Sequence, residues 1–102
     1  AANVDVKLDR DKNDNYKIEL ELTNLAPPEN LTPSAKHYVV WVNSPQATFN
    51  VGHLEVSKSM KAGLQTTTPY RPITIQITAE DERFPTNPSG QVIIITKEIP
   101  KD

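Results

Sequence analysis

The amino-acid sequence predicts an all-β protein: one domain, built as an antiparallel sandwich of about seven strands. Three observations lead there. Apolar and polar residues alternate with a period of two in Val4–Asp9, Tyr16–Thr23 and Ile73–Glu80, the spacing of strands with one face buried. Tyr38-Val39-Val40-Trp41-Val42 is a run of five large apolar residues closed by Asn43-Ser44-Pro45, which reads as a strand buried on both faces. Nine prolines against three glycines punctuate the chain with stiff connections, and no segment requires a helical period.

Taken in order, Val4, Val6 and Leu8 share one face of a first strand near residues 4–9. The all-polar stretch 10–15, rich in Asp and Asn, is a turn. Tyr16, Ile18, Leu20 and Leu22 then face one way and Lys17, Glu19, Glu21 and Thr23 the other, so 16–24 is a second strand and the pair form a hairpin. Three prolines within Leu25–Pro33 exclude a helix or a central strand and predict a rigid crossover. It leads to a third strand at 37–43. A fourth at 50–57 carries Gly52 as a candidate bulge. A fifth at 60–67 is expected to turn Met60, Ala62 and Leu64 inward. Pro69-Tyr70-Arg71-Pro72 turns the chain into a sixth strand at 72–80, with Ile73, Ile75, Ile77 and Ala79 inward. The segment 81–90 is a loop, and Gln91-Val92-Ile93-Ile94-Ile95-Thr96 opens a seventh strand at 91–97.

Strands this short, separated by turn residues in a chain of 102 residues, match the pattern of an immunoglobulin-like or fibronectin-III-like sandwich; a small barrel is the alternative, and the length favours two packed sheets. The expected core is Ile18, Leu20, Leu22, Val39, Trp41, Ile75, Ile77 and Ile94. Trp41, the single tryptophan, is expected between the two sheets.

Composition narrows the function. A net charge of −2 with no basic run offers no electrostatic reason to bind nucleic acid or an anionic membrane. There is no cysteine, which removes disulfides, thiolate metal sites and thiol nucleophiles. No apolar stretch approaches the roughly 20 residues of a membrane-spanning helix. The start at Ala1-Ala2 without methionine reads as a mature or excised fragment.

Several motifs resemble a family of exported bacterial β-sandwich domains found in lipoproteins and secreted proteins. They are Leu25-Ala26-Pro27-Pro28-Glu29-Asn30-Leu31, Tyr38–Val42, Val51-Gly52-His53-Leu54, Thr66-Thr67-Thr68-Pro69, Ile75–Glu80 and Pro85-Thr86-Asn87-Pro88-Ser89-Gly90. The strand pattern is also similar to the extracytoplasmic part of anti-sigma-K-type regulators. The resemblance spans roughly residues 16–96. It implies an exported location (periplasm, outer-membrane lipoprotein or secreted) and a binding or structural role, and it brings no catalytic residues.

The residues themselves supply little chemistry. His37 and His53 are the only histidines, too few for a metal site that needs three or four ligands. Asp9–Asn15 places oxygens at alternate positions, as a calcium loop does. Asp14 and Leu20 nevertheless stand where an EF-hand needs Gly and Glu, so a solvated turn is the expectation. Glu80-Asp81-Glu82 and Glu29 read as a solvated rim rather than as acid–base groups in shifted environments. No serine sits in a nucleophile elbow, and no Gly-rich phosphate loop exists. Asn30-Leu31-Thr32 is a glycosylation sequon whose meaning depends on the host. Six aromatics, with Tyr70 and Phe84 on loops at opposite ends of a strand, make a poor sugar platform.

These readings converge on a non-catalytic interaction or spacer domain of a bacterial envelope or secreted protein. It needs no cofactor, is expected to be a monomer, and has room for a protein partner. The candidate contact loops hold Pro27, Pro28, Glu29 and Asn30 on one side, and Asp81, Glu82, Arg83 and Phe84 on the other. A sensory or regulatory domain of an anti-sigma-like membrane protein is the alternative, and a metal- or carbohydrate-binding accessory domain is a third.

Overall fold

In the computed structural model, which describes residues 2–82 and 84–99, strand β1 spans Asn3–Arg10 and β2 Tyr16–Thr23. They are followed by a short 3-10 turn at Pro28–Asn30, β3 at His37–Asn43 and β4 at Thr48–Leu54. The last three strands are β5 at Ala62–Thr68, β6 at Thr74–Glu80 and β7 at Gln91–Ile95. They form two antiparallel sheets, one of three strands in the order β1-β2-β5 and one of four in the order β4-β3-β6-β7. The fold is thus an all-β sandwich with almost no helix.

Alternation sets which residues meet. Ile18, Leu20 and Leu22 of β2 meet Tyr38, Val40 and Val42 of β3 and Ile75, Ile77 and Ala79 of β6 in one buried cluster between the sheets. Val4, Val6 and Leu8 of β1 pack half-buried against it, as do Ile93 and Ile94 of β7. Ile94 therefore lies at the margin of the core, because β7 is an edge strand with a neighbour on one side only.

Trp41, expected between the sheets, is elsewhere, and Val39 of the expected core goes with it. Val39 and Trp41 are both 0 % exposed, yet they stand outside the inter-sheet cluster. The parity of β3 explains it: Tyr38, Val40 and Val42 point inward, so Val39 and Trp41 must point out through the opposite face of the four-stranded sheet. The apolar run is buried on both faces, and the tryptophan belongs to the outer one.

The fifth strand begins later than its pattern suggests. Met60 is exposed with a positive φ of 62° and sits in the turn before β5. There its carbonyl accepts from the Leu25 N–H at 2.9 Å. The fourth strand ends at Leu54 rather than at 57, and it does carry a bulge. The register steps from Val40 opposite Gly52 to Trp41 opposite Asn50, leaving Val51 as the extra residue. Gly52 has φ 145°, a conformation glycine adopts without strain, and Leu64 of β5 packs 3.3 Å from where its Cβ would be.

Candidate functional site

Topology brings the two predicted contact loops to the same end of the sandwich. β2 finishes there and β3 starts there, so the crossover 24–36 belongs to that end. β6 finishes and β7 starts at that end as well, which places 81–90 beside it. Lys36 N–H donates to the Glu80 carbonyl at 3.2 Å and ties the two together. Pro27, Pro28 and Glu29 line one cleft with Lys36, His37 and His53. Pro33, Ser34 and Ala35 line another, of about 400 Å³, with Glu80, Asp81 and Ser89. Arg83, expected among the contact residues, lies outside the described residues.

The crossover is braced from beneath. The Tyr38 hydroxyl donates to the Ala26 carbonyl, and the Ala35 N–H donates to the Pro28 carbonyl at 2.9 Å. Burial pushes the Tyr38 phenol above its ordinary pKa, and the negative charge of Glu29 adds to the shift. Pro28 is buried while Glu29 and Asn30 are exposed, so the loop rests on its prolines and presents its polar residues.

The loop 81–90 acts as a strap across the outer face of the four-stranded sheet. It leaves from β6, yet its Pro85 carbonyl accepts from Asn50 Nδ2 of β4 at 3.1 Å, and Phe84 meets the His53 ring edge-on at 6.4 Å. β3 lies between β6 and β4, so the strap must cross it. Asn50 is paired with Trp41 and His53 with Val39, and paired residues point to the same face. The strap therefore crosses directly over Val39 and Trp41 and accounts for their complete burial.

One carboxylate fastens it. Glu80, only 4 % exposed, receives the Thr78 hydroxyl at 2.6 Å, the Ser89 hydroxyl at 2.8 Å, the Gly90 N–H at 3.0 Å and the Ser89 N–H at 3.2 Å. Thr78, fully buried on the same face, accepts in turn from the Trp41 indole N–H at 2.8 Å. Burial alone would raise the Glu80 pKa. The hydrogen bonds from Thr78, Gly90 and Ser89 outweigh it and hold the carboxyl below the usual glutamate range. An ionised carboxylate committed to four donors is poorly placed to take a proton from a substrate. It suits fastening. Gly90 makes the fastening possible: a Cβ there would lie 1.7 Å from the Ala79 carbonyl oxygen, so only glycine brings the backbone this close.

Sequence reasoning placed Glu80 in a solvated rim and corrects here to a buried anchor. The missed residues are Thr78, Glu80, Ser89 and Gly90. A signal was present in the two-sided run Tyr38–Val42: something had to cover its outer face, and polar residues at alternate positions of the adjacent strand were the natural fastening points.

The remaining candidates are local. His37 and His53 meet edge-to-face at 6.4 Å, half-buried. Among the described residues no group of three or more His, Cys, Asp or Glu is placed to hold a metal ion. In the β1–β2 turn the Asp11 carboxylate accepts the Asn13 and Asn15 N–H groups, both at 2.9 Å. The hydrogen bond from Asn15 is the main reason its pKa is lowered. Its oxygens serve the turn, while Arg10 pairs with Asp14 at 3.1 Å and lies over the Tyr16 ring at 4.3 Å. Tyr70 stacks on Phe49 with centroids 4.8 Å apart, and Phe49 in turn lines a cleft with Phe84 and Pro85.

The fold and this strapped end define an antiparallel β-sandwich domain whose crossover and β6–β7 loop share one surface. No protein-family model matches the sequence, no curated protein matches it, and no solved structure matches the fold.

Proposed function

We propose that the chain is a non-catalytic interaction module of an exported or envelope protein, and that it grips a protein partner with its strapped end. The observation that carries this reading is that Pro27, Pro28 and Glu29 on one side and Phe84 on the other both lie beside His53, at an end internally braced by Tyr38 and Glu80. A preorganised surface loses little conformational freedom on binding. Phe84, 75 % exposed, is the most exposed large apolar side chain among the described residues, and Asp81 and Glu82 are exposed beside it. A partner with an apolar pocket rimmed by basic groups fits this tip, the aromatic acting as anchor and the charges steering approach. The division of strands favours a fibronectin-III-like over a constant-immunoglobulin-like arrangement, since the constant type places its fourth strand in the first sheet and β4 here pairs with β3. The exported location rests on the family resemblance of the motifs.

The test is site-specific photo-crosslinking in the cells that make the protein. A photoreactive phenylalanine analogue at position 84 should yield a discrete adduct, and Asp81→Lys with Glu82→Lys should abolish it. The same analogue at position 70, at the opposite end, should yield none. Equal adducts from both ends, or none from position 84, would overturn the reading.

A further inference from the structure

A β-sandwich has sheet edges, and an edge presents unpaired backbone N–H and C=O groups that invite another strand. Three of the four edges here are managed. β1 carries Asp5, Lys7, Asp9 and Arg10. The edge strands β4 and β5 face each other across one side of the sandwich, with Gly52 against Leu64, and β4 is bulged at Val51. β7 is different. Gln91–Ile95 has no charged residue, and among the described residues it pairs only with β6.

β7 also displays an apolar pair. Val92 stands opposite Thr78 and Ile95 opposite Gln76, so both point to the outer face, where they are 50 % and 58 % exposed. Residues three apart share a face only because Ile93 is an extra, bulged residue: the register steps from Ile77 opposite Ile94 to Thr78 opposite Val92. That detail favours one partner. A regular strand laid against β7 meets the step at Ile93 that β6 already absorbs as a bulge. An identical strand running antiparallel carries the same extra residue and stays in step without one.

We infer that β7 is a self-association edge, pairing antiparallel with β7 of a second copy about a two-fold axis between Ile93 and Ile94. In this register Val92 of each copy lies directly opposite Ile95 of the other, so the exposed pair is covered twice over, and no like charges meet within the strands. The sheets join into one of eight strands. The monomer expected from the sequence rests on the charges of Val4–Asp9 and on prolines near the ends of the later strands; this interface uses neither the first strand nor Pro88 and Pro100, which flank the paired residues in sequence. With only five residues a side, association is weak and depends on concentration.

Sedimentation equilibrium on the full chain between about 10 μM and about 1 mM spans the affinity of such a small interface. Wild type should shift from monomer to dimer within it. Val92→Lys/Ile95→Lys should remain monomeric throughout with an unchanged urea midpoint, both side chains being exposed. A register-specific arm uses the absence of native cysteine. A mixture of the Val92→Cys and Ile95→Cys proteins should cross-link under mild oxidation at least about ten-fold faster than either alone, since only the mixed pair lies face to face. A wild type that stays monomeric, a double-lysine variant that dimerises equally, or cross-linking no faster in the mixture would each overturn the inference.

Discussion

Removing the Glu80 carboxylate should loosen the strap without dissolving the sandwich, and the effect can be sized from its partners. Glu80→Ala leaves the proton of the fully buried Thr78 hydroxyl without an acceptor, although its oxygen still accepts from Trp41, and an unmet buried donor costs about 1–3 kcal/mol. Ser89 and Gly90 are exposed, so their donors can turn to water and add less. Partial uncovering of Val39 and Trp41 brings the expected loss to about 2–4 kcal/mol. Glu80→Gln keeps an oxygen facing Thr78 and the two N–H groups, and its amide can donate to Ser89 Oγ. Losing only the charge assistance, it should cost about 1 kcal/mol. The pH dependence separates the two contributions. Because the folded carboxyl titrates below its unfolded value of about 4.3, the stabilisation is complete above that value and falls as pH drops through the folded pKa. Urea denaturation followed by Trp41 emission at pH 7 and pH 3 should show the gap between wild type and Glu80→Gln closing on acidification. A Glu80→Ala loss under about 0.5 kcal/mol, or a gap that widens in acid, would refute the fastening role.

Gly90→Ala must displace the backbone, since the new methyl would sit 1.7 Å from the Ala79 oxygen. A loss of about 1–3 kcal/mol with red-shifted Trp41 emission is expected, and an unshifted spectrum would count against the strap as the cover. Trp41→Ala should cost about 3–5 kcal/mol by denaturation, although the indole lies outside the inter-sheet core. A loss below about 1 kcal/mol would mean that the outer face contributes little. Tyr38→Phe, which orphans the Ala26 carbonyl, should lower stability by about 1 kcal/mol and leave Trp41 emission unchanged, because the crossover is braced on the other side of the sheet.

Period-two alternation carried most of the architecture. Ile18, Leu20, Leu22, Ile75 and Ile77 occupy the inter-sheet cluster, since a strand's parity decides which face its side chains share. Parity also explains where the reading fell short. Tyr38–Val42 is apolar at every position, so the pattern alone cannot say which alternate set faces the other sheet. Choosing Trp41 by size picked the wrong set. Glu80 was misread for a related reason: a carboxylate at a strand end looks solvated until the chain returns to cover it, and the return depends on Ser89 and Gly90, nine and ten residues later. That the crossover and the β6–β7 connection meet at one end was likewise invisible, because it follows from strand pairing rather than from any local motif. Ile94 is only half-buried because strand order placed β7 at an edge.

The strap has three fixed points: Glu80 where it departs, Pro85 on Asn50 where it crosses, and Ser89-Gly90 where it lands. Between the second and third, Thr86 and Asn87 are exposed and bear no part of the fastening. As related chains diverge, insertions and substitutions should therefore accumulate at 86–87 while the three anchors persist. The strap would then vary in length beyond its recognition residues while the indole beneath it stays dry.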